Sequence, residues 1–500
     1  MIQALINLNI DPEAIVNQLT YDPQAPMIFS SGIFLWLFAA FIVVYALLHR
    51  NLTARMLFVT CFSYYFYYKS SGFYFFLLAV VTCSDFLIAR LMNRTTRRTS
   101  RKWLVALSLI VDLGLLGYFK YTNFLTEIWA GITGTHFDLA NIFLPVGISF
   151  FTFQSLSYTI DVYRGKIKPL NNLLDYAFYV SFFPQLVAGP IVRASDFIPQ
   201  IRKPLHITRE MVGMGLWFII IGLFKKAVIS DYISLNFVDR VFDNPSLYSG
   251  VENLMGVYGY ALQIYCDFSG YSDMAIGIAL LLGFHFNLNF NSPYQSASIT
   301  DFWRRWHISL STWLRDYLYI SLGGNRKGKF RQKVNLMLTM LLGGLWHGAS
   351  WNFVMWGGLH GLALVVHKIW MSLTGQRQGV PHRNRLVQVL CVVVTFNFVC
   401  FCWIFFRNRD FADSMTMISQ IFTNFHPELF VQLVTGYWQV FAVIALGYLL
   451  HFAPQRLERA TQRTFVRLPM AAYVIALVIM IFIVIQVKSS DVQPFIYFQF

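Results

Sequence analysis

The chain has 500 residues, of which 56% are hydrophobic and only 13% charged. A soluble globule carries about 25% charge to face water, so this composition, with an aromatic share of 18%, excludes a soluble enzyme, a disordered chain and a fibre. It leaves an all-α polytopic integral membrane protein. The formal net charge of +15 sits in short loops between apolar runs, which is the signature of membrane topology and not of nucleic-acid binding.

In chain order, the first 49 residues hold no Lys or Arg, so the basic segment of a cleaved signal peptide is missing. Met27 to Leu48 is long enough to cross, since ~20 residues at 1.5 Å rise cover ~30 Å of hydrocarbon. It reads as a retained first span. Further spans are predicted near 56–69, 73–92, 103–119, 142–163, 174–192, 211–230, 253–283, 334–345, 351–370, 386–406, 435–452 and 469–487. Several are short or interrupted, as at Phe182-Phe183-Pro184 and Ala188-Gly189-Pro190, and suit re-entrant segments. Roughly 11 to 13 transmembrane or re-entrant helices are expected in all. With no repeat, linker or soluble segment, 1–500 reads as one membrane domain.

Orientation follows the basic loops. The acidic N-terminus (Asp11, Glu13, Asp22) is expected outside and Arg50 and Arg55 inside. Arg94 to Lys102, Arg326 to Lys333, Arg377 to Arg385 and Arg456 to Arg467 mark further inner loops, and the C-terminus, 488–500, falls outside. Lys225 and Lys226 break this parity. The six cysteines lie in apolar stretches with no metal or redox spacing.

Ionisable groups in lipid are expensive, so each needs an account. Thr300 to Tyr317 (TDFWRRWHISLSTWLRDY) is too polar to cross alone. The pattern predicts a helix with Thr300 as N-cap and Asp301 in its first turn, ended by Gly323-Gly324. Trp303, Trp306, Leu310 and Trp313 form one stripe, and His307 and Ser311 another line. An interfacial helix anchored by tryptophan is the plain alternative. In Leu341 to Phe353 (LLGGLWHGASWNF), His347 lies mid-stretch beside Gly343, Gly344, Trp346, Gly348 and Asn352. It is either a packed ring or a general base, since an imidazole exchanges protons near neutral pH. His360 and His367 read as packing residues, and His49, His382 and His451 as interfacial ones. Asp267 and Asp273 are expected to bond the arginines near 304; a proton relay is the other option. Gly323 to Lys329 matches a phosphate-loop spacing, but Phe330 replaces the hydroxyl residue and no strand precedes it.

Leu144 to Phe153 (LPVGISFFTF), Phe182 to Pro190 (FFPQLVAGP), Tyr265 to Asp273, Asp301 to Tyr319 and Leu341 to Gly361 together resemble the membrane-bound O-acyltransferase (MBOAT) family, of the bacterial alginate O-acetylation type. That resemblance implies a multi-pass protein of the bacterial inner membrane, with 300–361 as its catalytic core segment. It implies His347 as the catalytic histidine and His307 as a second one. The ring at 347 is then expected to lie in a thin septum, reachable from both aqueous compartments.

The acyl donor would be acetyl-CoA or an acyl carrier thioester, bound as substrate with no resident cofactor and no metal. Trp303, Arg304, Arg305, Trp306, Trp346 and Asn352 are candidate substrate contacts, with Arg304 and Arg305 attracting a phosphorylated donor. Outside lie a polysaccharide acceptor and a hydrolase-like acyltransferase partner, with membrane lipid all around. Pro494 to Phe500 is similar to an F-x-Y-x-x-F ending of this export group, which makes Tyr497 a candidate acyl carrier; a plain aromatic anchor is the alternative. The rival functions are a proton-coupled transporter or flippase, and a family member acting on a lipid or protein acceptor.

Overall fold

The computed structural model describes residues 12–23, 25–136, 138–376 and 384–487. Among them the chain is helical and contains no strand. The principal helices are α1 (Gly32–Leu47), α2 (Leu52–Ser71), α3 (Phe75–Arg94), α4 (Arg98–Leu116), α5 (Ile148–Tyr163), α6 (Leu173–Ser181), α7 (Arg209–Leu223), α8 (Gly250–Leu281), α9 (Ile299–Arg305), α10 (Ile308–Trp313), α11 (Gly328–His347), α12 (Trp351–Thr374), α13 (Arg385–Arg407), α14 (Trp438–Phe452) and α15 (Met470–Val487).

Among the described residues, six stretches have the length and apolarity to cross a membrane: Leu52–Arg94, Arg98–Thr133, Arg209–Asp243, Trp351–Thr374, Arg385–Arg407 and Met470–Val487. Pro427–Gly436 and Trp438–Phe452 reach that length only as a pair, bent by 96° into a broken span or a re-entrant segment. The expected span at 174–192 is broken. It holds α6 and then one turn, Phe183–Leu186, because Pro184 supplies no amide hydrogen to continue α6.

α8 is the hub. Its 32 residues cover ~48 Å at the α-helical rise, and they are buried over nearly the whole length. Ser249 and Glu252 start it as a capping box, with the Ser249 amide and hydroxyl donating to the carboxylate at 2.8 and 2.7 Å. The reciprocal pair satisfies donors that helix geometry leaves open.

α7 lies along α8 with backbones touching. A β-carbon on Gly222 would stand 2.5 Å from the Gly270 carbonyl oxygen, and one on Gly277 2.5 Å from that of Gly215. Helices in lipid associate through such small-residue contacts, since burial from water drives nothing there.

Past α7 the helix widens into a π-turn, Phe224–Ser230. There Lys225 pairs with Asp273 at 2.8 Å, while Lys226 bonds Asp267 and, at 2.8 Å, Asp231. This corrects the expectation that arginines near 304 hold these carboxylates. It also explains the broken parity: the two lysines belong to the interior of the bundle and not to a loop. A regular helix would separate consecutive side chains by about 100°; the π-turn brings both onto acidic partners. His451 corrects likewise. It is 5% exposed, its Nε2 accepts the Tyr294 amide at 3.1 Å, and its ring stands edge-on to Tyr265 at 4.5 Å, so it packs inside the bundle.

A second polar pair lies between α3 and α4. Asp85 and Asp112 are fully buried, and the Ser108 hydroxyl donates to Asp85 at 2.7 Å. No basic side chain acts on either among the described residues.

Candidate active site

The segment around His307 is two short helices and not one. Ser298, not Thr300, caps α9, its hydroxyl accepting the Asp301 amide at 3.2 Å. α9 stops at Arg305. Trp306 is extended, and His307 takes φ 42°, ψ 57°, a left-handed conformation that costs a side-chain-bearing residue about 1–2 kcal/mol.

Asn289, on the extended link after α8, holds this break. Its carbonyl accepts the Ile308 amide at 2.9 Å. Its Oδ1 lies 3.1 Å from His307 Nδ1 and accepts the Ser309 amide at 3.1 Å and the Ser309 hydroxyl at 2.9 Å. Its Nδ2 donates to the Ser272 hydroxyl at 3.1 Å. The single aromatic stripe therefore does not form: Trp306 packs on Trp403 at 5.0 Å between centroids, while Trp313 stacks on Phe153 at 3.8 Å.

His347 is the last residue of α11, and Gly348 leaves the helix with extended backbone. Carbonyls at a helix C-terminus lack intrahelical partners and attract cations. Lys120, on the π-turn Gly117–Tyr121, meets that need by donating to the Trp346 and His347 carbonyls at 2.6 and 2.8 Å. Tyr121 donates to the Leu345 carbonyl at 2.7 Å.

The α11–α12 hairpin closes on glycine. A β-carbon on Gly344 would meet the Phe353 carbonyl oxygen at 2.3 Å, and one on Gly357 the Met340 carbonyl oxygen at 2.4 Å. His347 then stands edge-on to Trp356 at 5.1 Å and to Phe406 at 5.2 Å.

The structure brings His307, Trp346 and His347 together. The Trp346 ring is 6.1 Å from His307 and 4.9 Å from His347. Both imidazoles are buried, His307 at 0% and His347 at 3% exposure. Phe268 packs on His307, and Trp346, Trp356 and Phe406 pack on His347, so aromatic rings surround both imidazoles closely.

The other candidates lie apart. Trp303 donates to His360 Nδ1 at 3.3 Å, and His360 packs on Trp356 at 4.8 Å. Arg304 is exposed, and Arg305 pairs with Asp301 at 3.0 Å. Both arginines line a cavity of about 780 Å³ with Leu362, Val366 and Leu390, and neither His307 nor His347 lines it. Asn352 donates to the Asn408 carbonyl at 2.8 Å and accepts from Ser414 at 3.4 Å, so its amide ties the start of α12 to the residues after α13. Tyr497 lies outside the described residues.

Sequence reasoning missed Asn289, Ser309, Lys120 and Tyr121. Lys120, an ammonium between Phe119 and Tyr121 in an apolar run, carried a usable signal by the same cost argument that flagged His347. Asn289 carried none.

Residues 103–406 match the model of the MBOAT, membrane-bound O-acyltransferase family. The chain is 37% identical over 499 residues to the Pseudomonas putida protein named "Probable alginate O-acetylase AlgI", covering 95% of this chain and all of that one. It is 40% identical over 344 residues to the peptidoglycan O-acetyltransferase of Helicobacter pylori, covering 64% of each. It is 30% identical over 306 residues to the teichoic acid D-alanyltransferase of Bacillus subtilis, covering 58% of this chain and 75% of that one.

Proposed function

Because the chain belongs to the membrane-bound O-acyltransferase family, we propose that this multi-pass acyltransferase moves an acetyl group from a cytoplasmic thioester to a hydroxyl of an extracytoplasmic polysaccharide. Two of the relatives above are named for alginate and peptidoglycan, which supports a glycan acceptor. The observation that carries the site is the pair of imidazoles gathered on Trp346, one at a strained backbone position and one at a lysine-capped helix end.

In the proposed reaction His347 takes the proton of the acceptor hydroxyl. The freed oxygen attacks the thioester carbonyl, the carbon–sulfur bond breaks, and the thiolate leaves with the proton as a thiol. A positioned base supplies about 10²–10⁴-fold. Acetyl-CoA or an acyl carrier thioester is the donor in this reading, and Arg304 and Arg305 recognise its phosphate through charge-assisted bonds. The protein sits in the bacterial inner membrane with both termini outside. A hydrolase-like partner works at that outer face; in transfer by way of Tyr497, the phenol is the hydroxyl that attacks the thioester, and the sugar hydroxyl then takes the acyl group from the tyrosyl ester as the phenol is released.

The test is thioester turnover in proteoliposomes. His347→Ala and His307→Ala are expected to abolish it while the protein still inserts. Wild-type turnover by His347→Ala removes the base assignment, and full transfer by Tyr497→Phe removes the carrier role. Proton-coupled uptake without thiol release would instead identify a transporter.

A further inference from the structure

We infer that Asn289 is a positioning residue that fixes His307 in a single tautomer, with the proton on Nδ1 and a bare acceptor at Nε2. The inference deepens the acyl-transfer reading and rests on it for its catalytic consequence. The tautomer itself follows from hydrogen-bond geometry alone.

A side-chain amide has one accepting and one donating end, and only its partners tell which is which. Here they do. The atom near His307 is only 3.1 Å from the Ser309 backbone amide, a group that can only donate, so that atom is the oxygen. The opposite end donates to Ser272.

The Ser309 hydroxyl has also spent its proton on Asn289 Oδ1 at 2.9 Å, and its lone pair takes the Ile191 amide at 3.1 Å. It lies 3.4 Å from His307 Nδ1. Both groups at Nδ1 are therefore acceptors, and Nδ1 must carry the hydrogen. A neutral imidazole then has a lone pair at Nε2. That nitrogen is buried and has no hydrogen-bond partner among the described residues. A buried acceptor left unmatched is costly, of order 1–3 kcal/mol, so this nitrogen calls for a role.

The chemical consequence is a division of roles. A neutral His307 cannot donate to the oxyanion of a tetrahedral intermediate through Nε2. It can accept a hydroxyl hydrogen. Its role is to accept a hydrogen bond from a second donor group of the bound substrate, which leaves the reacting O–H beside His347 free to give its one hydrogen to that base. The same Asn289 bonds hold the left-handed turn that presents the ring, so tautomer and position have one cause.

The experiment uses the full-length protein in lipid, labelled with ¹⁵N-histidine, and reads the tautomer by solid-state NMR. The signals that disappear in His307→Gln identify this ring. An unprotonated Nε2 with a protonated Nδ1 is expected, and the reverse overturns the proposal whatever the activity data show. Turnover supplies the second arm. Asn289→Leu removes the acceptor and is expected to lower kcat by about 10²–10⁴-fold. Asn289→Asp retains it, gives up only the donor bond to Ser272, and is expected to stay within about 10-fold of wild type, the worth of one hydrogen bond of ~1 kcal/mol. Equal losses in both variants, with the wild-type tautomer preserved in each, would overturn the positioning role. Full activity of His307→Gln would instead remove the catalytic reading while leaving the tautomer assignment standing.

Discussion

Lys120→Met isolates what the lysine cap does for His347. The ammonium donates to two carbonyls of the final α11 turn, at 2.6 and 2.8 Å. Charged hydrogen bonds contribute about 1.5–3 kcal/mol each, or about 3–6 kcal/mol for the pair. Against that, no carboxylate acts on Lys120 among the described residues, and holding a lone cation away from water costs several kcal/mol. The two terms nearly cancel, so folding stability should change by no more than about 2 kcal/mol. Catalysis has no such compensation. Released carbonyls let the His347 backbone drift, and a displacement of ~1 Å costs about 100-fold in turnover. The assay compares kcat for thioester cleavage in proteoliposomes with the thermal midpoint in detergent. Tyr121→Phe, which loses one neutral bond to Leu345, serves as the mild control at about 1 kcal/mol. Wild-type kcat in Lys120→Met, or a kcat loss matched by an equal loss of folded protein, would refute the argument.

Gly357→Ala places a methyl 2.4 Å from the Met340 carbonyl oxygen, and the resulting separation of α11 from α12 should cost about 1–3 kcal/mol, read as a lower thermal midpoint together with reduced turnover. Lys225→Met leaves Asp273, 14% exposed, without its cation, and should destabilise by about 3–5 kcal/mol; adding Asp273→Leu should recover most of that, and a failure to recover in the double variant's melting curve would show that the pair does not act as a unit. Asp112→Asn removes one of two adjacent buried carboxyls that have no basic partner, so its melting midpoint should equal or exceed that of wild type, whereas Asp85→Ala also orphans the Ser108 hydroxyl and should lower it.

The membrane spans were legible because lipid imposes a length and an apolarity on each crossing helix, and α8, α12, α13 and α15 fall close to where hydropathy places them. His347 was legible for the complementary reason: a polar ring in an apolar run needs an explanation. The break at His307 was not. Residues 300–317 have good local helical character, and what interrupts them is Asn289, 18 positions away in sequence. The N-cap was missed by two positions because Thr300 and Ser298 are equally good capping residues, and only the geometry chooses between them. The partners of Asp267 and Asp273 were misassigned because a π-turn carries no periodic signature. The candidate contacts scattered for a simpler reason. Trp303, Arg304 and Asn352 are neighbours of the histidines in sequence, but helical rotation points them elsewhere.

The glycine contact between α11 and α12 bears on how the pocket can open. With peptide groups meeting at Gly344 and Gly357, these two helices can neither slide nor splay without losing their closest atoms, and they move as a single block with His347 at its tip. The imidazole is thus a stationary post. The rings that pack on that post, Trp356 and Phe406, reach it from α12 and α13, so one wall of the pocket belongs to the block and the other does not.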